Sequence, residues 1–163
     1  MTPAVLVAKL AKEIREITKN YDFVAEYQPN KSVSVYEQYL PLEKFEQDTY
    51  YPLVLVALQR VVSNRKEQIS TAEIGLTIGV YGGEENPNGE PRELQTGWLE
   101  YGDGWRDLLN LAEHIRQHLL KNPIIAEQFY LVDEIEFVPI DPQPVPFFIG
   151  GMVLTYEVAT PLF

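Results

Sequence analysis

The chain has 163 residues and no cysteine, and its 13 basic residues stand against 24 acidic ones for a formal net charge of −11. That length suggests one domain, 1–163, large enough to bury a core without covalent staples. The missing cysteines exclude disulfides, thiolate catalysis and cysteine metal sites, while the acidic balance, with Arg65-Lys66 as its densest basic cluster, argues against a phosphate backbone as the main ligand.

The chain opens on "MTPAVLVAKLAKEIREITKN". Thr2-Pro3 has the form of an N-cap with proline at the first helical position. Val7, Leu10, Ala11, Ile14 and Ile17 then recur at helical spacing, so a helix is expected over about 3–19. Lys9, Lys12 and Glu13 interrupt the apolar run, and no basic segment precedes it, which speaks against a signal peptide. No stretch approaches the roughly 18 uninterrupted apolar residues of a membrane span. The expectation is a protein made and kept in a cytoplasm, with no membrane partner.

Val33 and Val35 alternate with serines and predict a short strand near 32–37. An aromatic-rich connection follows and ends in Tyr50-Tyr51-Pro52. "LVLVALQRVV" (53–62) reads as a strand apolar on both faces at first, hence central in a sheet. In "TAEIGLTIGVYG" the residues Ala72, Ile74, Leu76, Ile78 and Val80 alternate with Glu73, Gly75, Thr77 and Gly79, the period of a half-buried strand. A glycine-, proline- and glutamate-rich loop spans about 82–102. Asp103 is placed to cap a second helix over about 103–121, whose apolar stripe is Trp105, Leu108, Leu109, Ala112, Ile115 and Leu119. Strands over 129–140 and 147–161 close the chain, and Gly150-Gly151 in the last one suggest a bulge or bend. The order α-β-β-β-loop-α-β-β, with short connections, favours an α+β fold: a mostly antiparallel sheet with two main helices packed on one face.

Candidate chemistry is sparse. His114 and His118 stand four apart on the second helix, a spacing that can present two ligands to a metal. No third histidine exists, and both lie opposite the apolar stripe, where two solvated surface histidines are the plainer reading. Asp133, Glu134 and Glu136 share one strand; paired carboxylates could do acid–base work, or simply solvate the open face of a half-covered sheet. Gly79, Gly82 and Gly83 lead into Glu84-Glu85, which would repel a phosphate, so the loop is no P-loop. No G-x-S-x-G occurs. The expectation is no catalytic residue, no cofactor and no metal: not an enzyme.

The loop carries Glu84, Glu85, Glu90, Glu93, Glu100 and Asp103 against Arg92 alone. A connection of this length is usually functional or disordered, so it is either a flexible loop in the free protein or a segment that orders on a partner. Trp98 and Tyr101 are candidate interface anchors, or pins holding the loop to the body. Glu84, Glu85, Glu90, Arg92, Trp98 and Tyr101 are the expected partner-binding residues.

Three stretches carry a family resemblance: "YYPLVLVAL", the unit "IGLTIGVYG…GWRDLLNLAEHIRQHLL", and the closing pair "LVDEIEFVPIDPQPVPFFIGGMVLTYEVATP". Together with the element order they resemble phage tail terminator (tail completion) proteins over roughly 50–163. The resemblance implies a structural virion protein that caps the tail tube and forms the joining surface to the head. It implies a homo-oligomeric ring, usually hexameric, contacting the tube protein and a head-tail connector, without a reaction or cofactor. Such a protein would occupy the host cytoplasm during assembly and then the virion tail. Other expectations are a different head-tail connector or neck component, a small metal- or carboxylate-dependent hydrolase built on His114/His118 or Glu134/Glu136, and a regulatory module that reads a protein through the acidic loop.

Overall fold

The computed structural model describes residues 2–24, 28–82, 103–144 and 146–158, and the backbone alone of Arg92–Glu93 and Leu99–Glu100. Helix α1 spans Pro3–Thr18, and proline at its start needs no N–H there. Thr2 makes no side-chain cap; its carbonyl instead accepts from Val5 N at 3.0 Å. The inward stripe is Leu6, Val7, Leu10, Ala11, Ile14 and Thr18, with the Thr18 hydroxyl donating to Ile14 O at 2.7 Å. Each fully buried Leu, Ile or Val on that stripe stabilises by roughly 1.5–3 kcal/mol.

Strand β1 (Ser34–Glu37) and strand β2 (Leu53–Asn64) come next, followed by β3 (Ile69–Tyr81). β4 (Arg92–Glu93) and β5 (Leu99–Glu100) pair as a separate two-stranded ribbon. Helix α2 spans Asp103–Lys121, and β6 (Ile124–Ile125), β7 (Phe129–Pro139) and β8 (Phe147–Val158) follow. The six-stranded sheet runs β1-β2-β3-β8-β7-β6. The fold is α+β with a mostly antiparallel sheet, as expected from the sequence. The exception is β1, which pairs parallel with β2. Parallel neighbours need a long crossover, and the connection over 38–52, wound into two short 3-10 turns at Leu42–Glu46 and Asp48–Tyr50, supplies it.

The main core joins α1 and α2 to one face of the sheet, through Val54, Val56, Ile74, Leu76, Ile78, Met152, Leu154 and Tyr156. In β3 these are the even-numbered residues, so the alternation read from the sequence is the burial pattern observed. In α2 the buried stripe is Leu108, Leu111, Ala112, Ile115 and Leu119; Leu109 is exposed, because Leu111 and not Leu109 lies on the arc facing the sheet. Trp105 is half-buried, its ring centroid 6.3 Å from that of Phe148.

Two glycine expectations change. β8 pairs with β3 in unbroken register through Gly150-Gly151, so no bulge sits there. Gly150 instead leaves room for the ring of Phe137 on β7, which a Cβ would strike. The irregularity falls in β7, where the register shifts between Val132 and Glu136 and Asp133 takes a positive φ of 62°.

Candidate interaction surface

Strand registers define the sheet face away from the main core as a series of cross-strand rows. The first is Leu53, Gly79 and Ile149. The second is Leu55, Thr77, Gly151 and Val138, and the third is Ala57, Gly75, Val153 and Glu136. The fourth is Arg60, Glu73, Thr155 and Val132, polar except at Val132, and Arg60 donates to Glu73.

The 38–51 connection folds back over the first row. Leu40, Tyr51, Leu53 and Ile149 form a second buried cluster there, flanked by Tyr36, Phe45, Tyr50, Leu55, Tyr81 and Phe147. Tyr51 stacks on Phe147 with centroids 4.7 Å apart and donates its hydroxyl to Phe45 O at 2.6 Å. Its ring lies on Gly79, where a Cβ would come within 2.7 Å of it. Asn30 closes the corner, donating to Thr49 O and Tyr51 O at 2.8 and 2.9 Å.

Beyond this cover the second and third rows are open. Their floor is small (Ala57, Gly75, Gly151), and beside it Val138, Ile140 and Val153 are 54 %, 44 % and 44 % exposed. The result is a shallow trough of about 350 Å³. Gln59, the extra residue where the β2 register shifts, lays its side chain over Gly75 and forms one side. Glu136 is exposed at the other side, with Glu134 and Asp133 exposed nearby on the bulged strand. Contiguous exposed apolar surface with a polar rim is characteristic of protein contact surfaces. Among the described residues, β7 has no strand on its outer side beyond β6.

Of the carboxylates singled out from the sequence, Glu136 lines this trough. The β7 irregularity leaves three residues, 133–135, opposite Leu154 alone, and Glu134 and Glu136 are both exposed on either side of the buried Ile135. The expected partner-binding residues Glu84, Glu85, Glu90, Trp98 and Tyr101, and the side chain of Arg92, lie outside the described residues. The stems of that loop are described, and they meet. A Cβ on Gly82 would come within 3.0 Å of the Gly104 Cα, and the Phe148 ring packs against both. Gly82 N also donates to Pro146 O at 3.0 Å. Close backbone approach explains these glycines; nothing in the pattern of the sequence alone pairs 82 with 104.

The two histidines are not merely solvated. Both face α1. His114 Nε2 lies 2.8 Å from Ile17 O, and its ring centroid is 5.2 Å from that of Tyr21. His118 Nε2 lies 2.9 Å from Glu13 Oε1. With Asn110, Gln117 and Lys121 they line a shallow cleft beside the helix seam. Among the described residues no three His, Asp or Glu side chains gather in a way that would hold a metal ion. The Glu13–His118 contact is half-exposed, so its contribution is modest. A double-mutant cycle with Glu13→Ala and His118→Ala, read by urea denaturation, is expected to give a coupling of about 0.5–1 kcal/mol. Additive single effects would show that the pair contributes nothing.

A second tie crosses the same region. The buried Asp107 carboxylate of α2 accepts from Val24 N at 2.6 Å, fixing the segment that leaves α1. Burial, and then the charge of Asp107, push the Tyr21 hydroxyl pKa up. Tyr156 of β8 is buried, and among the described residues its hydroxyl has no hydrogen-bond partner. Among the described residues no helix is long and apolar enough to cross a membrane. No protein-family model matches this chain, and no curated protein matches it.

Proposed function

We propose that the protein is a structural assembly subunit, a phage tail terminator that forms a ring, caps the tail tube and offers the joining surface to the head-tail connector. The single observation that carries a binding role is the open trough: an apolar sheet face with a small-residue floor and exposed Val138, Ile140 and Val153. The particular assembly rests on the resemblance in element order, with α1 and α2 on one face of the sheet and the loop between β3 and α2. A subunit with one helix-covered and one open face has two unlike surfaces, and joining unlike surfaces generates rings when the rotation closes.

Purified protein is expected to scatter light as a closed oligomer and to decorate the ends of tail tubes in negative stain. Val153→Lys, a substitution at an exposed site, is expected to remove both properties while leaving circular dichroism and the melting temperature within the range of ordinary surface changes. A strict monomer that never decorates tube ends overturns the proposal.

A further inference from the structure

The trough is one half of a contact, and the other half is present on the same chain. Helix α1 buries Leu6, Leu10 and Ile14 against the sheet, so its outward side points away from the face that carries the trough. At about 100° per residue, Ala4, Ala8, Lys12, Arg15 and Lys19 fall within an arc of roughly 80° on that side. All five are exposed, and none of the acidic residues of α1 lies within the arc. Arg15 is engaged with β1, donating to Val35 O at 3.1 Å with Glu37 at 3.6 Å. Lys12 and Lys19 make no ion pair among the described residues.

The trough presents the opposite character. Its floor is small and open at Gly151, with the Gln59 side chain laid over Gly75, and among the described residues the Glu136 carboxylate at its edge makes no ion pair. Arg60, the cation of the neighbouring row, is engaged by Glu73. A helix with alanines along its centre and lysines beside them matches such a surface in shape and in sign. Lysine stems also cover apolar surface while their ammonium groups reach a rim carboxylate.

We infer that the occupant of the trough is the outward face of α1 from a second copy of this chain, with Ala4 and Ala8 over the open floor at Gly151 beside Gln59 and Lys12 and Lys19 toward Glu136 and Glu134. The inference rests on the ring-subunit reading above and names its subunit contact. Because the two surfaces lie on opposite faces of one sheet, the contact is head-to-tail. It lets a chain of net charge −11 associate with itself, since like faces never meet.

The test uses two charge-reversed full-length chains at exposed positions, one with Lys12→Glu and Lys19→Glu, the other with Glu134→Lys and Glu136→Lys. Sedimentation velocity over a concentration series, at low and at moderate salt, is expected to show each variant associating at least tenfold more weakly than wild type. Mixing the two is expected to restore association, because each reversed surface then meets a complementary one. Wild-type association should also weaken as salt rises. If wild type oligomerises and neither reversal weakens it, the α1-to-trough contact is wrong and the ring reading stands. If each reversal weakens association but the mixture does not recover, the pairing of these two faces is also wrong. If wild type is monomeric at every concentration, the ring reading falls and this contact with it.

Discussion

Replacing Tyr51 by alanine is expected to destabilise the protein by about 3–5 kcal/mol, the range for removing a fully buried large aromatic. The side chain is 0 % exposed and packs against Phe147, Gly79, Leu53 and Ile149. Its hydroxyl accounts for one further bond, to Phe45 O. The loss therefore has two parts that a second variant separates. Tyr51→Phe retains the ring and is expected to cost about 1 kcal/mol, the typical net contribution of one hydrogen bond. Urea denaturation measures both. In the alanine variant the 38–50 connection also loses its anchor, so amide exchange there should accelerate ahead of exchange in β3 and β8. A loss below 1 kcal/mol for Tyr51→Ala would show that the connection is held by something other than this ring.

Alkaline pH supplies the second large effect. Burial pushes the Tyr51 and Tyr156 hydroxyls well above the ordinary tyrosine value of 10.0, and the negative charge of Glu13 adds to the shift at Tyr156. A tyrosine whose folded value is raised keeps its proton in the fold and gives it up in the unfolded chain. Its contribution to stability is fully present below pH 10.0 and is lost as pH rises beyond it toward the folded value. Each such tyrosine contributes a slope of about −1.4 kcal/mol per pH unit in that window, and two together about −2.7. Stability measured by urea denaturation should be flat with respect to these groups to about pH 10, then fall steeply. Tyr156→Phe should remove one tyrosine's share of the slope, about 1.4 kcal/mol per pH unit. At neutral pH the same substitution is expected to be neutral or slightly stabilising, because it removes a buried hydroxyl that has no partner among the described residues. A Tyr156→Phe variant with an unchanged alkaline slope would show that this residue ionises freely in the fold.

Much of the fold was legible in local pattern. The Pro3 start and the apolar spacing of α1 follow from the helical period, and the even–odd alternation of β3 follows from the pleat. These signals are strong because each element buries one face, so the chain repeats the same choice every turn or every second residue. The errors came where burial did not repeat. Leu109 was expected inside α2 and is exposed, while Leu111 is buried, since both are apolar and only the packing angle against the sheet separates them. The bulge expected at Gly150-Gly151 belongs to β7, because glycine marks a place where something comes close without saying what: here it is the ring of Phe137.

The candidate surface was less legible than the fold. Gly75, Val153 and Val138 are far apart in the chain, and none carries a signature of its own. They become a trough through the strand order that places β8 between β3 and β7. Glu136 was visible as a carboxylate on a strand, but its position at the rim of an apolar floor depends on that pairing. The histidines show the same limit. Their spacing placed them on one side of α2, and only the docking of α1 directs them to Glu13 and Ile17.

By itself the sequence determined the class of fold, the positions of the two long helices and the main strands, the exclusion of cysteine chemistry, and an acidic character that disfavours a phosphate ligand. Those properties follow from composition and from periods of 3.6 and 2, which are local. Tertiary structure alone decided that β1 runs parallel to β2, that the aromatic 38–51 connection covers one end of the sheet and leaves the next rows open, and that Gly82 and Gly104 come together at the stems of the long loop. Each of these depends on a contact between residues distant in the chain. No local period encodes such a contact; it is selected by which buried surfaces fit one another when the whole chain packs.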